Sequence, residues 1–264
     1  MLEAIFQQSL QFTHWLQGLG SWLYPVMEFF TFLGTENFYL LVLPIILWVF
    51  DYYLAFRGGI MLLLTAGIND LLKMVFRQPR PYWLKPEVLK ASSPSGGYGI
   101  PSGHSQTPLS IFGLLAVILK KRWFTLLVIF TVFMIGFSRI FLGEHFTIDV
   151  LSGWLIGGLV LFSFVKLEPK VRAWFSGKSF TIKILAVLGY SLGFILLSAL
   201  VIAIPSGYQV PQQWIDNALI VDPSEPINPL NLSNVITSMA TLFGFSAGYF
   251  WTESWGGFNA ASES

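Results

Sequence analysis

Three short clusters carry side chains that a lipid-buried helix does not keep without a partner. They are Lys73 with Arg80-Pro81, then Pro101-Ser102-Gly103-His104, then Ser138-Arg139 with His145 and Asp149. Three cations, two histidines and a carboxylate therefore stand at the ends of hydrophobic segments. Cations at bilayer depth are costly unless they face a partner or a cavity. A phosphate group suits this set, because an ammonium point charge and forked guanidinium groups reach its oxygens from different directions. Lys73, Arg80 and Arg139 would also stabilise the equatorial oxygens of a transferring phosphoryl group as it becomes metaphosphate-like.

Pro101-Ser102-Gly103-His104 opens a predicted helix. Helix N-termini present unpaired backbone N–H groups and a partial positive charge, which is an anion site in waiting. Gly103 lets the backbone come close to a phosphate, and the Ser102 hydroxyl can donate to it. His145 and Asp149 are four apart, a spacing that puts them on one face of a helix, about one turn apart. A carboxylate that keeps one imidazole nitrogen protonated leaves the other free as a nucleophile. Pro94-Ser95-Gly96 looks like the second cluster but lacks its histidine and its apolar helix, and reads as a flexible loop.

The elements that must position these residues are membrane helices. The chain has 264 residues, 54% hydrophobic and only 11% charged, with a mean hydropathy of +0.65. Soluble domains carry about 25% charged residues, so the composition reads as an integral membrane protein. Many of the ten tryptophans lie at segment ends, as interfacial anchors do. The net charge of +1 offers no nucleic-acid surface, and the absence of cysteine excludes disulfides and thiolate ligands. The first 30 residues contain no Lys or Arg, so the basic region of a cleavable signal peptide is missing.

Residues 2–17 read as a helix lying in the interface, with an irregular apolar face of Leu2, Ile5, Phe6, Phe12, Trp15 and Leu16. Spans are predicted over 37–56, 58–77, 104–120, 123–141, 147–166, 182–204 and 231–251, the last interrupted by Gly244 and Gly248. The fold class is thus an all-α bundle of about seven transmembrane helices plus the interfacial helix, in a single domain over 1–264. Two long loops, 78–102 and 205–230, are rich in proline. If the spans alternate, Arg57, Lys120-Lys121-Arg122, Lys166, Lys170, Arg172, Lys178 and Lys183 fall on one side. These are nine of the fifteen Lys and Arg residues, and the positive-inside rule makes their side cytoplasmic. Alternation then brings all three clusters to the extracytoplasmic side.

Lys73-x6-Arg80-Pro81, Pro101-Ser102-Gly103-His104 and Ser138-Arg139-x5-His145-x3-Asp149 resemble the three signature motifs of the type 2 phosphatidic acid phosphatase superfamily. Eleven specified residues agree, in order, and the core of the likeness covers about 58–166. The resemblance implies a phosphatase that uses no metal or other cofactor and works through a phosphohistidine. In that scheme His145 attacks phosphorus, oriented by Asp149. His104 protonates the leaving oxygen and then activates water. Lys73, Arg80, Ser102, Gly103 and Arg139 hold the phosphate. A second resemblance, to glucose-6-phosphatase, rests on the N-terminal segment, Arg80-Pro81-Tyr82-Trp83 and Thr241-Leu242-Phe243-Gly244. That family lacks the acid that Asp149 supplies here.

The expected substrate is a lipid phosphate, phosphatidate-like or a prenyl diphosphate, with membrane lipids as partners; a water-soluble sugar phosphate is the alternative. A vanadium-dependent haloperoxidase would share the site, but that family is soluble. A transporter or scaffold would leave two histidines and an aspartate unexplained. Other polar residues have quieter readings. Asp70 is either functional or a local ion-pair partner of Lys73, and Glu144 is a rim or substrate-headgroup contact. Arg77 is a solvated or headgroup-facing arginine that could assist a second phosphate. His14 belongs to the interfacial helix.

Overall fold

A computed structural model describes residues 2–90, 95–204, 207–224 and 227–257; Pro94, Pro205, Pro226 and residues 258–264 lie outside the described residues, as do the side chains of Leu2 and Phe50. The described residues form helices α1 (Leu2–Gln17), α2 (Leu23–Phe32), α3 (Glu36–Ile45), α4 (Tyr52–Phe76), α5 (Pro81–Leu84) and α6 (Gly103–Leu119). They continue as α7 (Arg122–Phe141), α8 (Thr147–Ser176), α9 (Phe180–Ala203), α10 (Gln212–Val221) and α11 (Ser233–Ser254), with no strand among them.

Local chemistry sets the breaks. The Thr35 hydroxyl accepts from the Phe38 N–H and caps α3, and α2 meets the α3 stretch at a bend of 54°. Asp51 caps α4 by accepting from the Leu54 N–H. The expected span over 37–56 therefore stops at Asp51, because that carboxylate starts a new helix. α8 continues to Ser176, well beyond the expected end at 166. α11 runs without interruption through Gly244 and Gly248. Each of those glycines costs only about 1 kcal/mol in a helix interior, and the buried Val235, Met239 and Leu242 keep α11 packed.

By length and composition four of these helices can cross a membrane, α4, α7, α8 and α9, or five if the bent α2–α3 pair counts as one span. α6 is apolar but 17 residues long. Large apolar side chains on α7 and α9, among them Leu126, Phe130, Leu192 and Leu196, are exposed, as lipid-facing surfaces are. This is an all-helical integral membrane protein.

The frame of the candidate site is the α6–α8 contact. Gly153 and Gly157 stand one turn apart on α8, and a Cβ at Gly157 would lie 2.5 Å from the Gln106 carbonyl oxygen. Only hydrogen at these positions lets the two backbones approach so closely. Between α7 and α8 the chain turns at Gly143, whose φ of +74° a side chain would resist. Lys90 N–H donates to the Leu142 carbonyl at 2.9 Å and ties the same turn to the 78–102 segment.

A cap of α1, α5 and α10 closes over that turn. Phe6 stacks on Phe146 at 4.4 Å, and Trp83, fully buried, packs near Trp214 at 5.9 Å. Asn217 donates to the Trp83 carbonyl at 2.8 Å. The interfacial face expected on α1 is therefore split: Phe6 and Leu16 are buried, whereas Phe12 and Trp15 are exposed. Residues 205–230 are likewise more than a loop, since α10 covers Trp83.

Candidate active site

The turn between α7 and α8 delivers His145, which precedes the helix instead of lying on it. Asp149 sits in the first turn of α8. Its Oδ2 accepts from the Phe146 N–H at 2.9 Å and lies 3.1 Å from His145 Nδ1. One carboxylate oxygen thus caps the helix and fixes the imidazole. On the far edge of the ring, Arg80 Nη1 is 3.2 Å from His145 Nε2. A guanidinium only donates, so Nε2 accepts and the proton resides on Nδ1, facing Asp149. His145 is 1% exposed and Asp149 fully buried. Burial, followed by the charges of Arg80, Arg139 and Lys73, holds the His145 imidazole well below the ordinary histidine value of 6.5. It is neutral, with its lone pair directed at the cationic side of the site.

Arg80 is aimed by backbone. Its Nε donates to the Gly97 carbonyl at 2.6 Å and its Nη1 to the Glu144 carbonyl at 3.3 Å. The segment read as a flexible decoy loop therefore helps to build the site: Gly97 holds Arg80, and the Ser95 carbonyl accepts from Tyr82 Oη at 2.6 Å. Arg139, in the last turn of α7, donates to Thr31 Oγ1 on α2 at 2.7 Å. Lys73 ends α4 within electrostatic reach of Arg80, Arg139 and Asp149. The three cations thus lie within electrostatic reach of one another.

Ser102 precedes α6 and is fully buried. Its N–H donates to the Asp149 carbonyl at 2.9 Å, joining the second cluster to the third. Behind it, Asn69 donates to the Pro101 carbonyl at 3.2 Å and to Gln106 Oε1 at 2.8 Å. A Cβ at Gly103 would lie 3.2 Å from Asn69 Oδ1, so α4 also limits what this position can carry. His104 faces the α2–α3 bend, where a Cβ at Gly34 would be 3.1 Å from its Cδ2. It lies within electrostatic reach of Arg139, Arg80 and Lys73. Two buried donors here, Ser102 Oγ and Arg139 Nε, have no partner. Buried donors without acceptors are costly, and an anion placed between them would supply the acceptors.

Glu144 departs from its expected rim position. It is 2% exposed, pairs with Arg139, and stands 3.7 Å from Arg80. No motif flags it; its one signal is an acid next to His145 in a run with no other charge until Asp149. Removing one partner of a buried pair leaves uncompensated charge, at a cost of about 3–5 kcal/mol. Glu144→Ala is expected to lower the melting temperature in detergent, and inorganic phosphate is expected to restore part of the loss by replacing the missing charge. An unchanged melting temperature would contradict that account.

The remaining polar residues separate cleanly. Asp70 and Lys73 lie within electrostatic reach of each other without closing to ion-pair distance among the described residues. Arg77 donates to the carbonyls of Met74 and Val201, both at 2.9 Å, and its guanidinium lies 4.6 Å from the Tyr208 ring centre. It is engaged with the end of α9 rather than with solvent. His14 is exposed on α1.

Residues 54–173 match the model of the PAP2 superfamily. A phosphatidylglycerophosphatase B of Bacillus subtilis (strain 168) is 29% identical over 164 residues, covering 57% of this chain and 78% of that protein. The human sphingosine-1-phosphate phosphatase 2 is 34% identical over 145 residues, covering 52% of this chain but only 36% of the relative. The crystal structure of a transmembrane PAP2-type phosphatidylglycerolphosphate phosphatase from Bacillus subtilis superposes with a TM-score of 0.53 at 23% identity. It covers 64% of this chain and 88% of the other, and shows a shared fold. The matched residues run from the start of α4 to near the end of α8 and hold every member of the three clusters, so the part of the chain that carries the candidate site is the part similar to the PAP2 superfamily.

Proposed function

We propose that the protein hydrolyses a lipid phosphate, phosphatidate-like or a prenyl diphosphate, through a phosphohistidine on His145. The observation that carries this reading is the neutral His145, held by Asp149 with Nε2 facing Arg80, beside the unpartnered Ser102 Oγ and Arg139 Nε. A substrate phosphate takes the N–H groups of Arg80 and Arg139, the Lys73 ammonium and the Ser102 hydroxyl. Nε2 then bonds to phosphorus as the bond to the ester oxygen breaks, and His104 gives that oxygen its proton. In the second step His104 removes a proton from water, the hydroxide attacks phosphorus, and the P–N bond breaks to free His145 and inorganic phosphate.

A lipid substrate agrees with the location of the site at helix ends, with exposed apolar helix faces beside it, and with relatives named for lipid phosphates. In this reading α6, α11 and the bent α2–α3 pair cross with α4, α7, α8 and α9, giving seven crossings in one domain. The basic ends of α4, α7, α8 and α9 are then cytoplasmic, and the catalytic cluster is extracytoplasmic. The test is phosphate release by the purified protein in EDTA from phosphatidic acid, phosphatidylglycerol phosphate, undecaprenyl diphosphate, sphingosine 1-phosphate and glucose 6-phosphate. Turnover of a lipid phosphate, unchanged by EDTA, is the expected outcome. Dependence on a metal would overturn the mechanism, and preference for glucose 6-phosphate would overturn the substrate class.

A further inference from the structure

At the opposite end of the bundle a cavity of about 730 Å³ opens between the start of α4, the α8–α9 turn and the end of α11. Tyr53, Arg172, Lys178, Lys183, Phe250 and Glu253 are among its lining residues. Arg172 and Asp149 are both on α8, 23 residues apart, so at about 1.5 Å per residue roughly 35 Å separate the cavity from the catalytic cluster. That distance exceeds the hydrocarbon thickness of a bilayer, about 30 Å. The cavity therefore lies at headgroup level in the other leaflet, flanked by the exposed Trp174, Trp251 and Trp255, residues typical of an interface.

Its charges do not balance. Arg57 pairs with Glu168 at 2.7 Å and Lys183 with Glu253 at 3.7 Å. Arg172 and Lys178 have no carboxylate among the described residues. Each instead lies over an aromatic ring, Arg172 at 4.8 Å from the Tyr53 centre and Lys178 at 5.5 Å from the Trp174 centre. Lys178 and Lys183 also flank the start of α9, the end where the helix dipole disfavours cations and favours anions. A concave site with surplus positive charge, stiffened cations and a helix N-terminus is built for a phosphate.

We propose that this cavity is a second phosphate-recognition site, which takes the anionic headgroup of a phospholipid from the leaflet opposite the catalytic cluster. Aromatic walls favour a headgroup carrying glycerol and acyl ester over a bare ion, and the cavity is roomy enough for both.

Native mass spectrometry of the full chain in a zwitterionic detergent tests this, with phosphatidylglycerol and phosphatidylcholine as probes. The wild type is expected to retain one phosphatidylglycerol in preference to phosphatidylcholine. The double variant Arg172→Gln/Lys178→Gln is expected to hold it about thirtyfold more weakly, the loss for two cations near an anionic surface. Both side chains are exposed, so folding is preserved, and the unaltered hydrolysis rate of the double variant checks it. Arg80→Gln is expected to retain the lipid, which separates this site from the catalytic one. Displacement by inorganic phosphate would assign the same site to a soluble phosphate; resistance to it assigns the lipid. Wild-type retention by the double variant, or equal retention of phosphatidylcholine, overturns the proposal.

Discussion

His145→Ala is expected to lower turnover by more than ~10⁴-fold while leaving the protein folded. The imidazole has two edges with two partners, Asp149 at 3.1 Å and Arg80 at 3.2 Å. The substitution removes the imidazole whose Nε2 is held toward the motif cations. The neighbouring groups are poor substitutes: Lys73 and the arginines are cations, Asp149 is turned toward Phe146 N–H, and His104 faces the α2–α3 bend. Substrate affinity should fall less than turnover, because the phosphate-holding groups remain. The wild type, quenched during turnover, should carry a phosphate that is labile in acid and stable in alkali, and His145→Ala should carry none. The pH profile supplies a second check. His145 must be neutral to attack, and its pKa is depressed below 6.5 by burial and then by neighbouring cations. Its neutral form therefore persists as the pH falls through 6.5, and the acid limb of kcat/KM that belongs to it lies lower. Rapid turnover by folded His145→Ala, or a His145 limb above 6.5 after correction for substrate ionisation, would defeat the mechanism.

The candidate site is legible in the sequence because the proposed chemistry demands rare residues at helix ends. Lys73, Arg80, Ser102, His104, Arg139, His145 and Asp149 are costly in an apolar chain, so each stood out against its surroundings. Their partners did not. Thr31 holds Arg139 across 108 residues, and a threonine in an apolar helix has many unremarked uses. Gly97 holds Arg80 through a carbonyl that every residue possesses. Glu144 was visible as a charge, but its direction depends on the turn at Gly143 and not on helical periodicity.

The fold divided along similar lines. α7 and α9 were legible because each is a continuous apolar run with charges or turn residues at both ends. α2 and α3 were harder, since each is 10 residues long and neither spans alone. Asp51 reads as one polar residue inside an apolar stretch, yet it is the cap that separates α3 from α4. α10 lacks a clear signature in the sequence because its apolar side is defined only by Trp83 and the rest of the cap. These failures share a cause: packing partners distant in the sequence decide the structure where local periodicity is short.

His104→Ala is expected to reduce turnover of an alkyl phosphate by roughly 10²–10⁴-fold, the usual contribution of a general acid or base. In the proposed reaction His104 acts twice, and the two roles can be separated by the leaving group. An alkoxide leaving without a proton is very basic, so the first step suffers most with a lipid alcohol. A phenolate with electron-withdrawing groups needs no proton, so formation of the phosphohistidine from an aryl phosphate should survive the substitution. Water activation still fails, and phosphoenzyme should accumulate as a burst followed by slow turnover. The surroundings make His104 suited to this assignment. Arg139, Arg80 and Lys73 lie within electrostatic reach of it. A bound phosphate dianion offsets them, so substrate binding itself favours the protonated imidazole that the first step requires. The measurement is a rapid-quench comparison of alkyl and aryl phosphates with wild type and His104→Ala. Equal losses for both substrates, with no burst, would remove His104 from both proton transfers and leave it a positioning role against the α2–α3 bend.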